Sequence, residues 1–159
     1  MPSRRDQIQM PPDEVTRFLA EQSILIAATL GKDGWPHVMP LWYVMRGSEP
    51  WIFTYAKSQK VRNLERDPRA TLLVETGEKD DEVRGAMLIA EAKIHRDHDT
   101  VAAVAQELFA RYGGGDSAGA PLSEQTREAV RTQIAKRVAV QFHTLRTVSW
   151  DHSKLAGAY

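Results

Sequence analysis

The chain has 159 residues, which is enough for one domain with its own core but too few for two. It has 21 basic and 21 acidic side chains, so the composition lacks the excess of positive charge that is typical of proteins that bind nucleic acid or an anionic membrane. The absence of cysteine excludes disulfides, zinc–thiolate sites, iron–sulfur clusters and a thiol nucleophile.

Neither a signal peptide nor a membrane span is predicted. The residues before Pro11 are polar and charged, without the apolar core that a signal peptide needs. No apolar stretch approaches the length of a membrane-spanning helix. We therefore expect a cytoplasmic protein that forms a single domain over residues 1–159, with an N-terminal arm at 1–11.

The first predicted elements are one helix and two strands. Prolines and acidic side chains suit the first turn of a helix that opens at Pro11–Glu14. Residues 23–30 form a short apolar run before a loop with two glycines, which predicts a buried strand and a hairpin turn. Residues 35–45 predict a second strand. Pro36 and Pro40 lack the N–H donor of a ladder, so this strand must be an edge, bulged, or open to a ligand.

The most informative stretch is Trp51–Leu64, which reads WIFTYAKSQKVRNL. Its aromatic and β-branched start predicts a strand, and the apolar spacing from Val61 predicts a helix that ends at Asp67-Pro68. A helix start that carries cations and short donors is a candidate site for an anion such as a phosphate. A solvated basic helix start is an equally good interpretation of the spacing.

The second half of the chain is predicted to contain four strands and two helices. The strands are at residues 70–75, 83–95, 137–142 and 147–150, and the helices are at 97–112 and 124–134. The glycine-rich run 113–120 predicts a flexible loop, and residues 151–159 form a C-terminal tail. Strands joined mostly by short turns, with helices at the margins, predict a closed antiparallel barrel.

Two polar clusters suggest chemistry but have simpler interpretations. The run His95–Asp99 resembles a metal cluster, yet a strand-to-helix junction with Asp97 or Asp99 as the N-cap is the better interpretation. Ser149, Asp151 and His152 are too close in sequence to present the relay of a catalytic triad.

Three ordered segments resemble the pyridoxamine-phosphate-oxidase-like split barrels that bind flavins. The resemblance covers residues 12–155 and is carried by ATLGKDGWPHVMPLWYV, FTYAKSQKVRNLERDPRATLLVE and the strand around Arg84–Lys93. In the oxidases a Ser-Arg-Lys run grips the phosphate of FMN, and here Gln59 stands where the arginine would be. The pattern Lys60-x-x-Asn63-Leu64 resembles the actinobacterial branch, many of whose members use the deazaflavin coenzyme F420.

The resemblance implies a six-stranded Greek-key split barrel and a homodimer with cofactor sites at the interface. It implies an oxidoreductase that uses F420, or FMN as the alternative, on a small organic substrate. The implied cofactor-binding residues flank the ring, hold the phosphate or, in the C-terminal segment, close over the partner's site: Met39, Pro40, Leu41, Thr54, Ser58, Gln59, Lys60, Arg62, Asn63 and Trp150. For Trp150, an ordered tail that only buries dimer surface is an equally good interpretation.

No catalytic side chain is implied, and Tyr43 and His37 are only weak candidates for a proton donor. Because every implied residue binds a cofactor and none performs chemistry, a non-catalytic flavin- or haem-binding carrier remains the alternative. FMN-dependent oxidation of pyridoxamine 5'-phosphate ranks third, since no second cationic cluster for the substrate phosphate is visible.

Overall fold

The computed structural model describes residues 3–113 and 124–155, which are built around one curled antiparallel sheet. Its seven strands follow the order β2-β1-β5-β6-β7-β4-β3 across the sheet. The strands are β1 (Ile24–Leu30), β2 (Pro36–Trp42), β3 (Val44–Arg46), β4 (Glu49–Tyr55), β5 (Arg69–Thr76), β6 (Arg84–His95) and β7 (Arg137–Asp151).

Five helices and one short 3₁₀ turn flank the sheet. The helices are α1 (Arg4–Ile8), α2 (Pro12–Glu21), α3 (Gln59–Arg66), α4 (His98–Tyr112) and α5 (Glu124–Ile134), and the 3₁₀ turn is His152–Leu155. The Asp97 side chain caps α4 by accepting a hydrogen bond from the Thr100 amide at 2.9 Å, which confirms the predicted junction. Within the described residues, none of these helices has the length and apolar composition needed to cross a membrane.

The sheet closes on itself at Tyr43. β2 and β3 lie at opposite edges of the sheet, yet Tyr43 alone separates them in the chain. The two edges must therefore approach each other there, and the sheet curls into a barrel. Tyr43 is fully buried, and its hydroxyl donates a hydrogen bond to the Leu19 carbonyl of α2. This bond fixes the closure point against the helix that covers one end of the core.

Two apolar clusters lie on opposite sides of the barrel wall. The larger one fills the barrel with alternate residues of the strands, such as Leu25, Leu72 and Leu88. The smaller one lies between the wall and α4 and includes Trp51 and Val104. Helix α4 therefore packs on the outside of β4 and β7 and makes a second layer there.

The prediction of a mainly-β barrel with flanking helices is confirmed, with corrections to its strands. The predicted strand 35–45 is divided at Tyr43 into β2 and β3, because the chain crosses there from one edge of the sheet to the other. The predicted strands 137–142 and 147–150 are one continuous strand, β7, which carries a register shift opposite Ile89/Ala90. The division and the merger cancel in number, so the sheet has seven strands, one more than the six that the resemblance implied. The predicted loop 113–120 lies outside the described residues after Gly113.

Candidate functional site

The candidate site lies where the barrel wall is open, along the edges of β2 and β4. In the described sheet β2 pairs with β1, while the far side of β2 has no strand partner. The β3–β4 pairing stops at Val44↔Trp51, so the later residues of β4 also have a free edge. Extending that register would place Phe53 opposite Trp42. Both edges present backbone N–H and C=O groups that a ligand can satisfy.

Helix α3 begins directly after this open part of β4. Its N-cap residue, Ser58, makes no side-chain capping bond, so the first backbone N–H groups of the helix lack a cap. The Ser58 hydroxyl oxygen is buried and has no hydrogen-bond partner among the described residues. An acceptor such as a phosphate oxygen would satisfy both sets of donors and would lie at the positive end of the helix dipole.

Lys60 is the cation closest to this helix start. Its ammonium donates a hydrogen bond to the Thr54 hydroxyl at 3.1 Å, and no carboxylate pairs with it in the described structure. The side chain is half-buried, and this burial lowers the pKa of Lys60 below its usual 10.5. A desolvated ammonium that has only a neutral partner is suited to an anionic ligand.

Asn63 lies deeper in the fold than a ligand-binding role requires. It is fully buried, and its amide nitrogen donates a hydrogen bond to the Thr29 hydroxyl of β1 at 3.1 Å. Its side-chain oxygen accepts hydrogen bonds from Gln59 at 2.8 Å and from Arg66 at 3.3 Å. These bonds fix α3 to the barrel, so Asn63 positions the helix start and Gln59 is turned toward the helix itself.

The remaining cations of this stretch are at the surface. Lys57 and Arg62 are exposed, and neither forms an ion pair with any residue that the structure describes. They extend the positive charge on either side of Lys60 without being desolvated. The helix start therefore combines one half-buried cation with two solvated ones.

The predicted ring-flanking residues of β2 alternate between the two faces of the wall. Met39 and Leu41 pair with residues 27 and 25 of β1, which point into the barrel, whereas Pro40 pairs with Ile26 and points outward. His37 lies on the same face as Met39, and its Nδ1 is buried without a partner among the described residues. The segment is therefore open on both faces as well as at its edge.

A cavity of about 480 Å³ adjoins β2 on the α4 side of the wall. Its lining is mainly aromatic and aliphatic, and Arg137 is its one charged side chain. The other lining residues are Ile24, Pro40, Leu41, Trp42, Phe53, Leu108, Phe109, Tyr112 and Gly113. No motif in the sequence predicts this cavity, although the apolar periodicity of α4 shows that the helix must cover some surface.

Within the chain, Trp150 and Tyr43 lie apart from this group. Trp150 pairs with Gly85 and packs so closely on it that a Cβ there would lie 2.2 Å from the Trp150 ring. Gly85 pairs in turn with Glu75 of β5. Glu75 is five residues along β5 from Ala70, which lies near α3, and five residues of a strand span about 17 Å. Tyr43 is in the core, where burial raises the pKa of its hydroxyl, so it is not placed to donate a proton to a ligand.

The polar clusters singled out in the sequence have structural roles. Ser149 is buried, and its hydroxyl exchanges hydrogen bonds with the backbone of Met10. Asp151 accepts hydrogen bonds from the Ser153 amide and hydroxyl at 3.0 and 2.6 Å. Within the described residues, no three His, Asp or Glu side chains are grouped as metal ligands would be.

Comparison with known proteins gives one family and a common fold. The family model described as pyridoxamine 5'-phosphate oxidase matches residues 11–147. The solved structure of the conserved hypothetical protein Rv2991 from Mycobacterium tuberculosis is 35% identical with a TM-score of 0.86, and the match covers 98% of this chain and 93% of that one. No curated protein matches the chain.

Two structures of lower identity share the fold alone. One is named F420 reductase; it is 21% identical with a TM-score of 0.61, and the match covers 92% of this chain and 98% of that one. The other is HutZ, the heme storage protein of Vibrio cholerae, which is 16% identical with a TM-score of 0.65 over 89% of this chain and 94% of that one.

Proposed function

The chain belongs to the pyridoxamine 5'-phosphate oxidase family, and on this basis we propose that it is an oxidoreductase with a flavin-type cofactor. The cofactor would bind along the open edge of β2, with its anionic end at the start of α3. We propose the deazaflavin F420 as this cofactor, with FMN as the alternative, and a small organic molecule as the substrate.

The observation that carries the proposal is the set of unsatisfied groups at the start of α3. The Ser58 hydroxyl is buried without a described partner, and the half-buried Lys60 ammonium has only the Thr54 hydroxyl. Both groups are donors, and a phosphate is an acceptor that would satisfy them together with the free helix amides. The donor set therefore fits the anionic end of a phosphorylated cofactor.

The orientation of Gln59 supports the deazaflavin over FMN. The compact dianionic phosphate of FMN favours two adjacent cations, but Gln59 is neutral and its amide donates a hydrogen bond to Asn63 at 2.8 Å. The other cations, Lys57 and Arg62, are exposed and spaced apart, which suits the longer, distributed anionic tail of F420. The shared fold of the protein named F420 reductase is consistent with this choice.

The protein would contribute binding and positioning to the reaction. When bound, the reduced cofactor supplies a hydride for an electron-poor C=C or C=O bond. The free edge of β2 offers backbone groups to a planar ring, and Pro40, which has no N–H, leaves space and a carbonyl there. The apolar wall next to Pro40 would exclude water from a bound ring. Because no described side chain is placed as a proton donor, the proton would come from solvent.

We propose a homodimer that shares these sites. Large apolar side chains are exposed on the outer face of the sheet and at the β1–β2 hairpin, with Val38 53% and Trp35 75% exposed. Leu30 and Leu145 are exposed as well. A second copy of the chain would cover such a surface, and it would bring another open edge close to the cofactor.

The alternative is a carrier that binds a flavin or haem without turnover. One observation favours a haem: the His37 imidazole lies at the open strand, and its Nδ1 is buried without a described partner. The heme storage protein HutZ shares the fold. Oxidation of pyridoxamine 5'-phosphate ranks third, because the only charged residue in the lining of the described cavity is Arg137, whereas a phosphate monoester calls for a cluster.

The test is a spectrum of the purified protein, followed by titration and turnover. We expect absorbance of a bound deazaflavin, or tight binding when F420 is added, and oxidation of reduced F420 by a member of a panel of enones. Affinity for FMN ten times that for F420 at matched salt would transfer the assignment to FMN. A Soret band, together with the absence of turnover by either reduced cofactor, would favour the carrier.

A further inference from the structure

We propose that the cavity beside α4 binds a planar, unsaturated or aromatic carboxylic acid and that Arg137 holds its carboxylate. This inference rests on the proposed function only in treating that acid as the substrate. The binding itself follows from the shape of the cavity and from the state of Arg137.

The cavity has the size and walls of a site for a flat apolar molecule. Its volume of about 480 Å³ lies in the range of small-molecule sites, roughly 300–1,000 Å³. Trp42 stacks on Tyr112 with ring centroids 5.1 Å apart, and Phe109 meets Phe53 edge-on at 6.4 Å. The Tyr112 hydroxyl donates a hydrogen bond to the Tyr43 carbonyl at 2.7 Å, so this ring is fixed in place. Fixed aromatic walls favour a planar guest.

Arg137 is held in place without a counter-ion. Its guanidinium carbon lies 4.0 Å from the centre of the Tyr55 ring and 4.9 Å from that of Phe53. The Nε and one terminal nitrogen donate hydrogen bonds to the side-chain oxygen of Gln133 at 3.2 and 3.0 Å. These contacts orient the guanidinium, but its positive charge has no carboxylate partner among the described residues. The remaining N–H groups are available to a ligand.

Some half-buried cations of this protein have a carboxylate partner and others do not. Four lysine or arginine residues are half-buried in the described structure: Arg46, Lys60, Arg84 and Arg137. Arg46 pairs with Glu107 at 2.8 Å, and Arg84 pairs with Asp151 at 3.0 Å. The two that have no carboxylate, Lys60 and Arg137, are the two beside the open wall. Because burying a charge without a counter-ion is costly, we infer that a ligand supplies the missing negative charge at each.

Arg137 is not one of the residues proposed to bind a phosphate at the start of α3. It pairs with Tyr55 across β4 and β7, whereas the adjacent residue Thr54, which holds Lys60, points to the opposite face. The two cations thus lie on opposite sides of β4. Lys60 is on the side of the barrel interior, and Arg137 is on the side that α4 covers. A carboxylate on Arg137 belongs to a ligand in the α4-side cavity, which leaves the start of α3 for the cofactor.

The proposal is tested with trans-cinnamate and its neutral amide, cinnamamide, as probes on the full-length protein. We expect the wild-type protein to bind cinnamate about ten- to a hundredfold more tightly than cinnamamide, since a hydrogen bond to a charged group is lost in the amide. Arg137→Gln should abolish that preference and leave the affinity for the amide unchanged. The control Arg17→Gln removes an exposed arginine of α2 and should keep the preference.

Nuclear Overhauser contacts in the wild-type protein test the location without any variant. Cinnamate protons should contact ring protons of Phe109 and Tyr112, and their absence in the bound state would overturn the proposal even if Arg137→Gln fails to fold. A preference for cinnamate that survives in Arg137→Gln would overturn it as well.

Cofactor titration separates this inference from the proposed function. Arg137→Gln should bind F420 and FMN as the wild type does, and a tenfold loss of cofactor affinity with the cinnamate preference intact would assign Arg137 to the cofactor instead. If the wild type binds cinnamate in the cavity but binds neither cofactor, the proposed function is wrong, and the proposal that the cavity binds a planar carboxylic acid is still supported. If it binds a cofactor but not cinnamate, the ligand class fails.

Discussion

Replacement of Lys60 by methionine separates ligand binding from folding. The Lys60→Met variant keeps most of the length and volume of the side chain and removes its charge. In the cofactor complex, an ammonium about 4 Å from a phosphate charge gains about 4 kcal/mol at an effective dielectric constant of about 20. Part of that gain offsets desolvation, so we expect a net loss of about 1.5–3 kcal/mol, or roughly ten- to a hundredfold in affinity.

The same substitution should not destabilise the ligand-free protein. Lys60 is half-buried, and its described partner is a neutral hydroxyl, so the folded state gives up hydration of the ammonium without gaining a carboxylate. Burial lowers the pKa of Lys60 below 10.5, so the unfolded chain binds the proton more tightly than the folded one. The wild-type protein should therefore gain free energy of unfolding relative to the variant as pH rises from the folded-state pKa toward 10.5.

The assay combines isothermal titration with urea denaturation across this pH range. The control is Lys79→Met, which removes an exposed charge from the loop between β5 and β6 and should change neither result. Equal affinity of Lys60→Met and wild type for the cofactor would refute the phosphate assignment. Lower stability of Lys60→Met without ligand would show that the ammonium is satisfied within the fold, and it would remove the physical argument for an anion.

Three other predictions concern the interface, the positioning of α3 and a surface carboxylate. Val38→Asp places a charge on the apolar outer face and should convert a dimer into a monomer of 17.9 kDa in sedimentation; a wild-type monomer would contradict the proposed interface. Asn63→Ala removes the hydrogen bonds that Asn63 makes with Thr29, Gln59 and Arg66, and it should lower the free energy of unfolding by about 2–3 kcal/mol in urea denaturation. Hydrogen bonds from Gln141 and His143 lower the pKa of Glu49 below 4.5, so its contribution to stability is present above that pH and is lost as pH falls further. Denaturation midpoints of Glu49→Gln should therefore depend less on pH there than those of the wild type.

Local patterns in the sequence were sufficient to predict the elements of the barrel, but not how its edges meet. The apolar run at Ile24–Leu30 and the spacing in His98–Tyr112 specify their secondary structure because the period of burial is visible in the residues themselves. The break at Tyr43 has no such local signal, since an aromatic residue suits a strand. It becomes visible only when β2 and β3 are seen to pair with different neighbours.

The candidate site was predicted in part for a similar reason. Lys60 contacts Thr54, and α3 begins at Ser58, because these residues are close in sequence and a strand runs directly into a helix. The role of Asn63 differs from the expected one because its partner, Thr29, lies on another strand. Arg137 was missed because a single arginine has no motif, and its significance depends on the aromatic rings and the cavity that surround it.

The separation of the two ligand charges bears on the choice between an enzyme and a carrier. A storage or transport protein needs one site, and the start of α3 with the edge of β2 would suffice for it. The α4-side cavity has its own apolar walls and its own oriented cation, Arg137, on the opposite face of β4 from Lys60. A second recognition site next to the place proposed for the cofactor ring serves no purpose in storage, whereas a hydride transfer needs a second molecule held beside the ring. Arg137 therefore distinguishes an enzyme from a carrier better than any residue at the start of α3 does.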